Sequence, residues 1–198
     1  MADLVVRGLS VQTWPAVEDL GRRHNGVWGG CWCTWFHRET HSAPGSSTRT
    51  ADDSRDFKHH LVETGCAQAA MVFDGDRAVG WAQYGSPAEL PGIAHRKEYL
   101  QGVDVLPDYR ITCFFIDKAY RRRGVSAVAL AGALDLIAEA GGGVVEAYPQ
   151  DTQGKRVSAS FLYNGIRSLF EDAGFRYLRP KGKSHCVMTI TVPPAGSD

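Results

Sequence analysis

The chain contains 198 residues, of which 43% are hydrophobic, and its 22 basic and 22 acidic side chains give a formal net charge of zero. This length fits a single domain, residues 1–198, and this hydrophobic content suffices for a buried core. Because the net charge is zero, no overall field attracts the protein to nucleic acid or to a membrane surface. We therefore expect neither as a partner, and any phosphate recognition must be local.

The N-terminal sequence lacks the basic start and unbroken apolar core of a signal peptide, and no apolar run reaches the length of a transmembrane span. The five cysteines are an odd number without a C-x-x-C pair, which argues against a disulfide framework. Together these features predict a reducing, cytoplasmic setting.

Apolar periodicity and turn residues predict alternating strands and helices. The predicted strands are 4–11, 69–73, 78–84, 111–116, 144–149, 176–178 and 186–192, and the predicted helices are 14–23, 57–62, 125–140 and 161–172. The polar residues 40–54 read as a flexible loop, and 150–160 as a mobile connection. The long irregular segment 85–110 either borders a binding pocket or is a solvated loop.

An aromatic segment, residues 27–37, holds three tryptophans, two cysteines and Phe36. One interpretation is a metal or redox site at Cys31 and Cys33, with His37 in reach. Two thiols fall short of the four ligands of a usual soft-metal site. We therefore favour a buried aromatic segment and expect no metal.

The strand at 111–116 is β-branched and aromatic, as expected of a strand buried on both faces. The turn after it contains three consecutive arginines and Gly124, and a helix follows from about Val125. Arginines and the first N–H groups of that helix therefore converge at its positive end, where a phosphorylated ligand can bind.

The pattern Arg121-x-x-Gly124-x-Ser126, placed between a strand and a helix, resembles the acyl-CoA signature Gln/Arg-x-x-Gly-x-Gly/Ala of the GCN5-related N-acetyltransferase (GNAT) superfamily. Ser126 is a mild departure. The later sequences VVEAYP and SLFEDAGFRYL follow in the family's order. The resemblance is strongest over 68–192, the acyl-CoA-binding part, and looser over 1–67, which would form the acceptor-side helices.

This resemblance implies an α/β fold with a mixed, mostly antiparallel sheet splayed at the central strand and helices on both faces. It also implies acetyl-CoA as co-substrate. The strand residues that would contact the pantetheine arm through their backbone are Phe114, Phe115 and Ile116. The residues that would hold the pyrophosphate are Arg121, Arg122, Arg123, Gly124, Val125 and Ser126.

Acetyl transfer to an amine needs a base, a donor for the developing oxyanion and a proton for the thiolate. Amides of the central strand could stabilise the oxyanion. Glu146 is the first candidate base, because a parallel neighbouring strand would bring it beside the cofactor strand; the alternative is a surface carboxylate. Asp117, His37 and His95 are further candidates, each also typical of a solvated or structural group.

Many family members carry a tyrosine four residues before the glycine of the Gly-Phe pair, where it protonates the CoA sulfur. Phe170 stands at that position here. Tyr163, predicted two turns earlier on the same helix, is the replacement, and Tyr148 is a second candidate. Either tyrosine could instead be a packed aromatic. A covalent route through Cys113 ranks behind direct transfer, because no local base is identifiable.

The sequence thus predicts an N-acetyltransferase that moves an acetyl group from acetyl-CoA to a primary amine of a small molecule by direct attack in a ternary complex. Trp32 and Trp35 are predicted to bind the acceptor, because tryptophan faces attract cations. One alternative is a non-catalytic acyl-CoA-binding regulatory module, which Phe170 favours. The other is a metal or thiol protein using Cys31 and Cys33. A homodimer would be common in such a family.

Overall fold

The computed structural model describes residues 3–38, 50–152, 157–158 and 162–196. In these residues seven strands form one sheet, in the order β1-β2-β3-β4-β5-β7-β6. The strands are β1 (Leu4–Gly8), β2 (Gln68–Asp74), β3 (Arg77–Gly85), β4 (Tyr109–Ile116), β5 (Gly143–Ala147), β6 (Arg176–Lys181) and β7 (His185–Val192). The helices are α1 (Trp14–Arg23), α2 (Ala51–Glu63), α3 (Arg96–Gln101), α4 (Val125–Glu139) and α5 (Arg167–Asp172).

Every neighbouring pair of these strands is antiparallel except β4 and β5, which are parallel. The predicted α/β class with a mixed, mostly antiparallel sheet is therefore confirmed. The parallel pair arises where the chain crosses over through α4, because parallel neighbours need such a connection.

One face of the sheet is covered by α4. Apolar residues of this helix recur at helical spacing, and Val125, Ala129, Ala133 and Ile137 are all buried in the larger core cluster. Gly132 lets the helix approach β1, since a Cβ there would lie 2.5 Å from the side chain of Val6. The strand–turn–helix unit expected from the sequence is thus held rigidly against the sheet.

The opposite face, which we call the α1–α2 face, is covered by α1, α2 and the aromatic segment. Its core includes Trp14, Leu20, Trp32 and Phe36, together with Phe115 from β4. The ring of Trp32 packs directly over α1 at Gly21, where a Cβ would lie 2.2 Å from it. The aromatic segment is therefore built into the core, as expected for a buried segment.

The sheet splits between β4 and β5. Within the described residues the two strands pair only over Tyr109–Ile111, opposite Val145–Ala147. On its other side β4 stays paired with β3 as far as Ile116, with a register shift at Gln83 and Tyr84. We call the region beside residues 112–116 of β4 the β4–β5 split; it is the predicted splay of the central strand.

Several predicted boundaries change. The segment 85–110 is not irregular throughout, since it contains α3 and the first residues of β4. Helix α2 begins at Ala51 rather than 57, because Thr50 and Asp53 form a capping box. Helix α5 begins at Arg167 rather than 161. The predicted loop 40–54 falls mostly on residues 39–49, outside the described residues, as do parts of 150–160.

Candidate active site

At Gly124 and Val125 the turn between β4 and α4 presents backbone rather than side chains. Gly124 precedes the first turn of α4 with a φ of +77°, a left-handed conformation that favours glycine. A Cβ at this position would meet no atom within 4 Å, so the space beside it is open. The side chain of Val125 is buried in the core, which leaves only its backbone amide for ligand binding.

The predicted pyrophosphate residues lie together around this turn. Arg121, Arg122 and Arg123 are exposed, and the first amides of the 15-residue helix α4 lie beside them. The Arg121 side chain donates a 3.4 Å hydrogen bond to the carbonyl of Ile116, at the end of β4. Exposed cations beside a helix N-terminus can hold a phosphate group.

Asp117 anchors the end of β4 to α1. Its buried carboxylate accepts from Arg23 and from the amide of Ala119 at 3.0 Å, and Arg77 lies at 3.4 Å. Burial acts to raise the pKa of this carboxyl, but Ala119, Arg23 and His24 together outweigh it and lower the pKa overall. A carboxylate held in this way is a structural anchor, and not the solvated cluster expected from the sequence.

The predicted pantetheine contacts lie along the β4–β5 split. The Phe114 amide faces the split and donates to the carbonyl of Tyr163 at 2.7 Å. The Asp117 amide donates to Val79 of β3, so the alternation along the strand directs the Ile116 amide toward the split as well. The Phe115 carbonyl faces Gly80 of β3, where a Cβ would lie 2.8 Å from it. Phe114 and Ile116, but not Phe115, therefore offer backbone to the split.

Tyr163 reaches this split from a turn and not from a helix, so the predicted helical register with Phe170 is wrong. Its ring contacts Trp28 and Phe36, each at 6.2 Å between ring centroids. Burial, followed by a smaller contribution from Cys31, raises the pKa of the Tyr163 hydroxyl. This hydroxyl therefore keeps its proton at neutral pH. Phe170 is fully buried on the other face, against the ring of Phe114.

Glu146 lies beside β4 as predicted, opposite Arg110 in the parallel pairing. It is not a surface carboxylate. Its Oε2 accepts hydrogen bonds from the hydroxyls of Tyr99, at 2.6 Å, and Tyr148, at 2.9 Å. Tyr99 comes from α3, so the long segment 85–110 closes over Glu146. Tyr148 is also buried, and its hydroxyl is engaged with Glu146.

Of the two tryptophans predicted to bind an acceptor, Trp32 is 4% exposed and belongs to the core. Trp35 is half-buried and packs edge-on against Phe36. Trp28, which the sequence did not single out, contacts Phe115 at 5.9 Å and Tyr163 at 6.2 Å between ring centroids. Trp28 and Trp35 are therefore the tryptophans of this segment that an acceptor could reach.

The expectation that the cysteines form no disulfide is wrong for one pair. Cys33 of the aromatic segment is bonded to Cys113 of β4. Cys31 is a half-buried free thiol. The bond ties the aromatic segment to β4 beside Phe114, and it removes Cys33 and Cys113 as free nucleophiles or paired metal ligands.

A buried polar network on the α1–α2 face was not anticipated. Lys58 of α2 donates to Gln83 Oε1 at 2.6 Å, and its Nζ lies 3.0 Å from His37 Nε2. The Gln83 amide group donates in turn to Thr112 Oγ1 at 3.1 Å. Helical spacing is the sequence feature that could have indicated the burial of Lys58. Ser54, Lys58 and Val62 recur at i, i+4 and i+8, so they lie on one face of α2, and all three are buried.

No protein-family model and no curated protein matches this sequence. Solved structures do match. A histone acetyltransferase HPA2-related protein from Corynebacterium glutamicum aligns with a TM-score of 0.54 at 17% identity, covering 98% of each chain. A GNAT-family protein from Desulfovibrio desulfuricans aligns with a TM-score of 0.52 at 16% identity, covering 96% of this chain and 99% of that one. The chain has the GNAT fold.

A third structure with the GNAT fold is that of the Escherichia coli N-acetyltransferase YhbS in complex with CoA. It has a TM-score of 0.50 and 13% identity, and the alignment covers 97% of this chain and 83% of YhbS. Within the GNAT fold described here, no group of three or more potential metal ligands occurs among the described residues. No helix in the same residues is long and apolar enough to cross a membrane.

Proposed function

We propose that the protein is an acetyl-CoA-dependent N-acetyltransferase that acetylates a primary amine of a small molecule by direct attack in a ternary complex. The observation that carries this proposal is the β4–β5 split. There the backbone of Phe114 and Ile116 faces away from β3, directly before the arginine turn and the positive end of α4. The GNAT fold and the CoA complex of YhbS support it.

The acetyl-CoA contacts follow from this geometry. The open space at Gly124 fits a phosphate group, with the amides of Val125 and Ser126 and the three arginines around it. The pantetheine arm would run along β4 in the split. There it would compete with the Tyr163 carbonyl for the Phe114 amide, so the turn at Tyr163 must shift when the arm binds.

The acceptor would approach on the α1–α2 face, where Trp28, Phe36, Phe115 and Tyr163 form an aromatic cluster beside the split. Aromatic faces attract cations, so this cluster favours an organic amine with an apolar or aromatic body. Trp35 extends the cluster at its exposed edge. Trp35→Ala should raise the acceptor KM without changing acetyl-CoA affinity.

Two protons must move. The Tyr163 hydroxyl, held protonated by burial, can give its proton to the departing thiolate. The Ile116 amide faces the split and can donate to the developing oxyanion. Glu146 is a candidate base, although it already accepts from two tyrosines. Tyr163→Phe should lower kcat by about 10²-fold or more. Glu146→Gln tests the base: a loss of similar size would assign that role to Glu146.

The test is calorimetric binding of acetyl-CoA to the wild type and to Gly124→Glu, followed by a thiol-release screen over arylalkylamines, polyamines, amino acids and aminoglycosides. We expect micromolar binding that the glutamate abolishes, because it adds bulk and negative charge to the phosphate site. Binding without thiol release for any amine would support a regulatory acyl-CoA-binding module. No binding to the folded wild type would overturn the proposal, and zinc analysis would then test the metal alternative.

A further inference from the structure

Lys58 is a buried lysine whose hydrogen-bond partners are neutral. Lys58 is 5% exposed, and its Nζ forms hydrogen bonds with Gln83 Oε1 and His37 Nε2. No carboxylate lies within ion-pair distance of it among the described residues. Buried lysines are rare unless they are paired, so a lysine in this position requires a reason other than stability.

His37 cannot share a positive charge with Lys58. Its Nδ1 lies 2.9 Å from the Glu89 carbonyl, which can only accept, so Nδ1 carries the proton and Nε2 is the acceptor that faces Lys58. Burial and then the charge of Lys58 lower the pKa of His37 to about 2. The imidazole is therefore neutral and has one fixed tautomer.

This environment suits the neutral amine. An uncharged lysine has two N–H donors and one lone pair. Gln83 Oε1 and His37 Nε2 satisfy the two donors, which leaves the lone pair free to accept a proton. Burial lowers the pKa of Lys58 to about 7, partly offset by the Cys31 thiol, so a large fraction of the lysine is uncharged at neutral pH.

Lys58 is linked to the proposed reaction centre through residues that it contacts. Phe36 packs against the ring of Tyr163, and the next residue, His37, contacts Lys58. On the other side, Gln83 links Lys58 to Thr112, two residues before Phe114 at the split.

We propose that Lys58, held as the neutral amine by Gln83 and His37, accepts the proton that the acceptor amine releases during acetyl transfer. This inference rests on the proposed function. The amine nitrogen bonds to the thioester carbon, the carbon–sulfur bond breaks, Lys58 takes the amine proton and Tyr163 protonates the thiolate. Return of the proton from Lys58 to Tyr163 restores both groups, so the balance is one amine and one thioester to one amide and one thiol.

Glu146 is the competing base, but its Oε2 is already occupied by two hydroxyl donors. The carboxylate of Glu146 holds the hydroxyls of Tyr99 and Tyr148 in place, which gives it a structural role. The two assignments predict different variants to be inactive. Lys58→Met should lose the base and Glu146→Gln should keep it.

The first experiment is an NMR titration of the Lys58 Nζ in protein labelled with [15N]lysine, assigned with Lys58→Met. It requires no acceptor. We expect a midpoint near pH 7 for Lys58. A lysine that stays protonated above pH 9 would overturn the proposal, whether or not acetyl-CoA binds. Failure of acetyl-CoA to bind in calorimetry would instead contradict the proposed function.

The second experiment measures thiol release from acetyl-CoA with 2-phenylethylamine as acceptor. Lys58→Met should lower kcat by about 10²- to 10⁴-fold. It should also remove the inflection near pH 7 from the pH dependence of kcat and leave acetyl-CoA affinity unchanged. Lys58→Arg keeps a charge but cannot accept a proton, so it should be equally slow. The matched control is Lys181→Met, which removes another buried lysine and should stay within about threefold of the wild-type rate. Full activity in Lys58→Arg would refute the assignment.

Discussion

Lys58→Met should change how the stability of the protein depends on pH. Burial lowers the pKa of Lys58 from 10.5 to about 7. The unfolded chain therefore binds more protons than the folded one between about pH 7 and 10.5, and stability rises with pH across that window. Each pKa unit corresponds to ~1.4 kcal/mol, so below pH 7 the charged lysine costs the folded state about 5 kcal/mol.

Methionine removes this cost and the titration with it. It also leaves Gln83 Oε1 and His37 Nε2 without their donor, which costs about 1–3 kcal/mol for each buried group. Lys58→Met should therefore be about as stable as the wild type or more stable at pH 6, and less stable at pH 10. The difference in unfolding free energy between the two proteins should shift by ~1.4 kcal/mol per pH unit from about pH 7 to about pH 10.

Urea unfolding at pH 6, 7, 8, 9 and 10 gives the unfolding free energy of both proteins. The titration of groups that the two proteins share cancels in the difference between them. Lys181→Met is the matched control. Burial lowers the pKa of Lys181 only to about 8, so its difference should begin to change about one pH unit higher. A difference between Lys58→Met and wild type that stays constant from pH 6 to 10 would show that Lys58 remains charged, and would refute the reasoning.

Further stability measurements test other parts of the site. Arg23→Ala should lower the free energy of unfolding by about 2–4 kcal/mol, because it leaves Asp117 buried with one fewer cation. The control Arg22→Ala removes an exposed ion pair and should lower it by less than about 0.5 kcal/mol. Equal losses would contradict the role of Asp117 as a structural anchor. Phe170→Tyr should lower stability by about 1–3 kcal/mol and leave thiol release unimproved, since its hydroxyl would be buried in an apolar core; faster release would contradict this. Cys33→Ala should cost about 4 kcal/mol under oxidising conditions, from a cross-link that spans 80 residues, and the difference should vanish in dithiothreitol.

Local sequence determined much of this fold. Asp74 and Gly75 turn the chain between β2 and β3, and Gly75 has the positive φ that such a turn needs. The strand, arginine turn and helix around Gly124 appear where the sequence predicts them. These features depend on residues within a few positions of one another, so the periodicity and turn chemistry of the sequence suffice to predict them.

The sequence placed the candidate site less completely. It placed the arginine turn directly after β4, and it placed Glu146 on the strand next to β4. It assigned Tyr163 to a helix, although the residue reaches the split from a turn. It also predicted that Trp32 binds the acceptor, although Trp32 packs into the core over Gly21.

Tertiary structure alone decided which distant side chains meet. The Cys33–Cys113 bond joins residues 80 positions apart, and Lys58 contacts His37 and Gln83, 21 and 25 residues away. A lysine on the buried stripe of a helix looks like any surface lysine until the partners that desolvate it are known. Its chemistry is set by burial and by hydrogen bonds across the fold, and these exist only once α2, β3 and the aromatic segment have packed together.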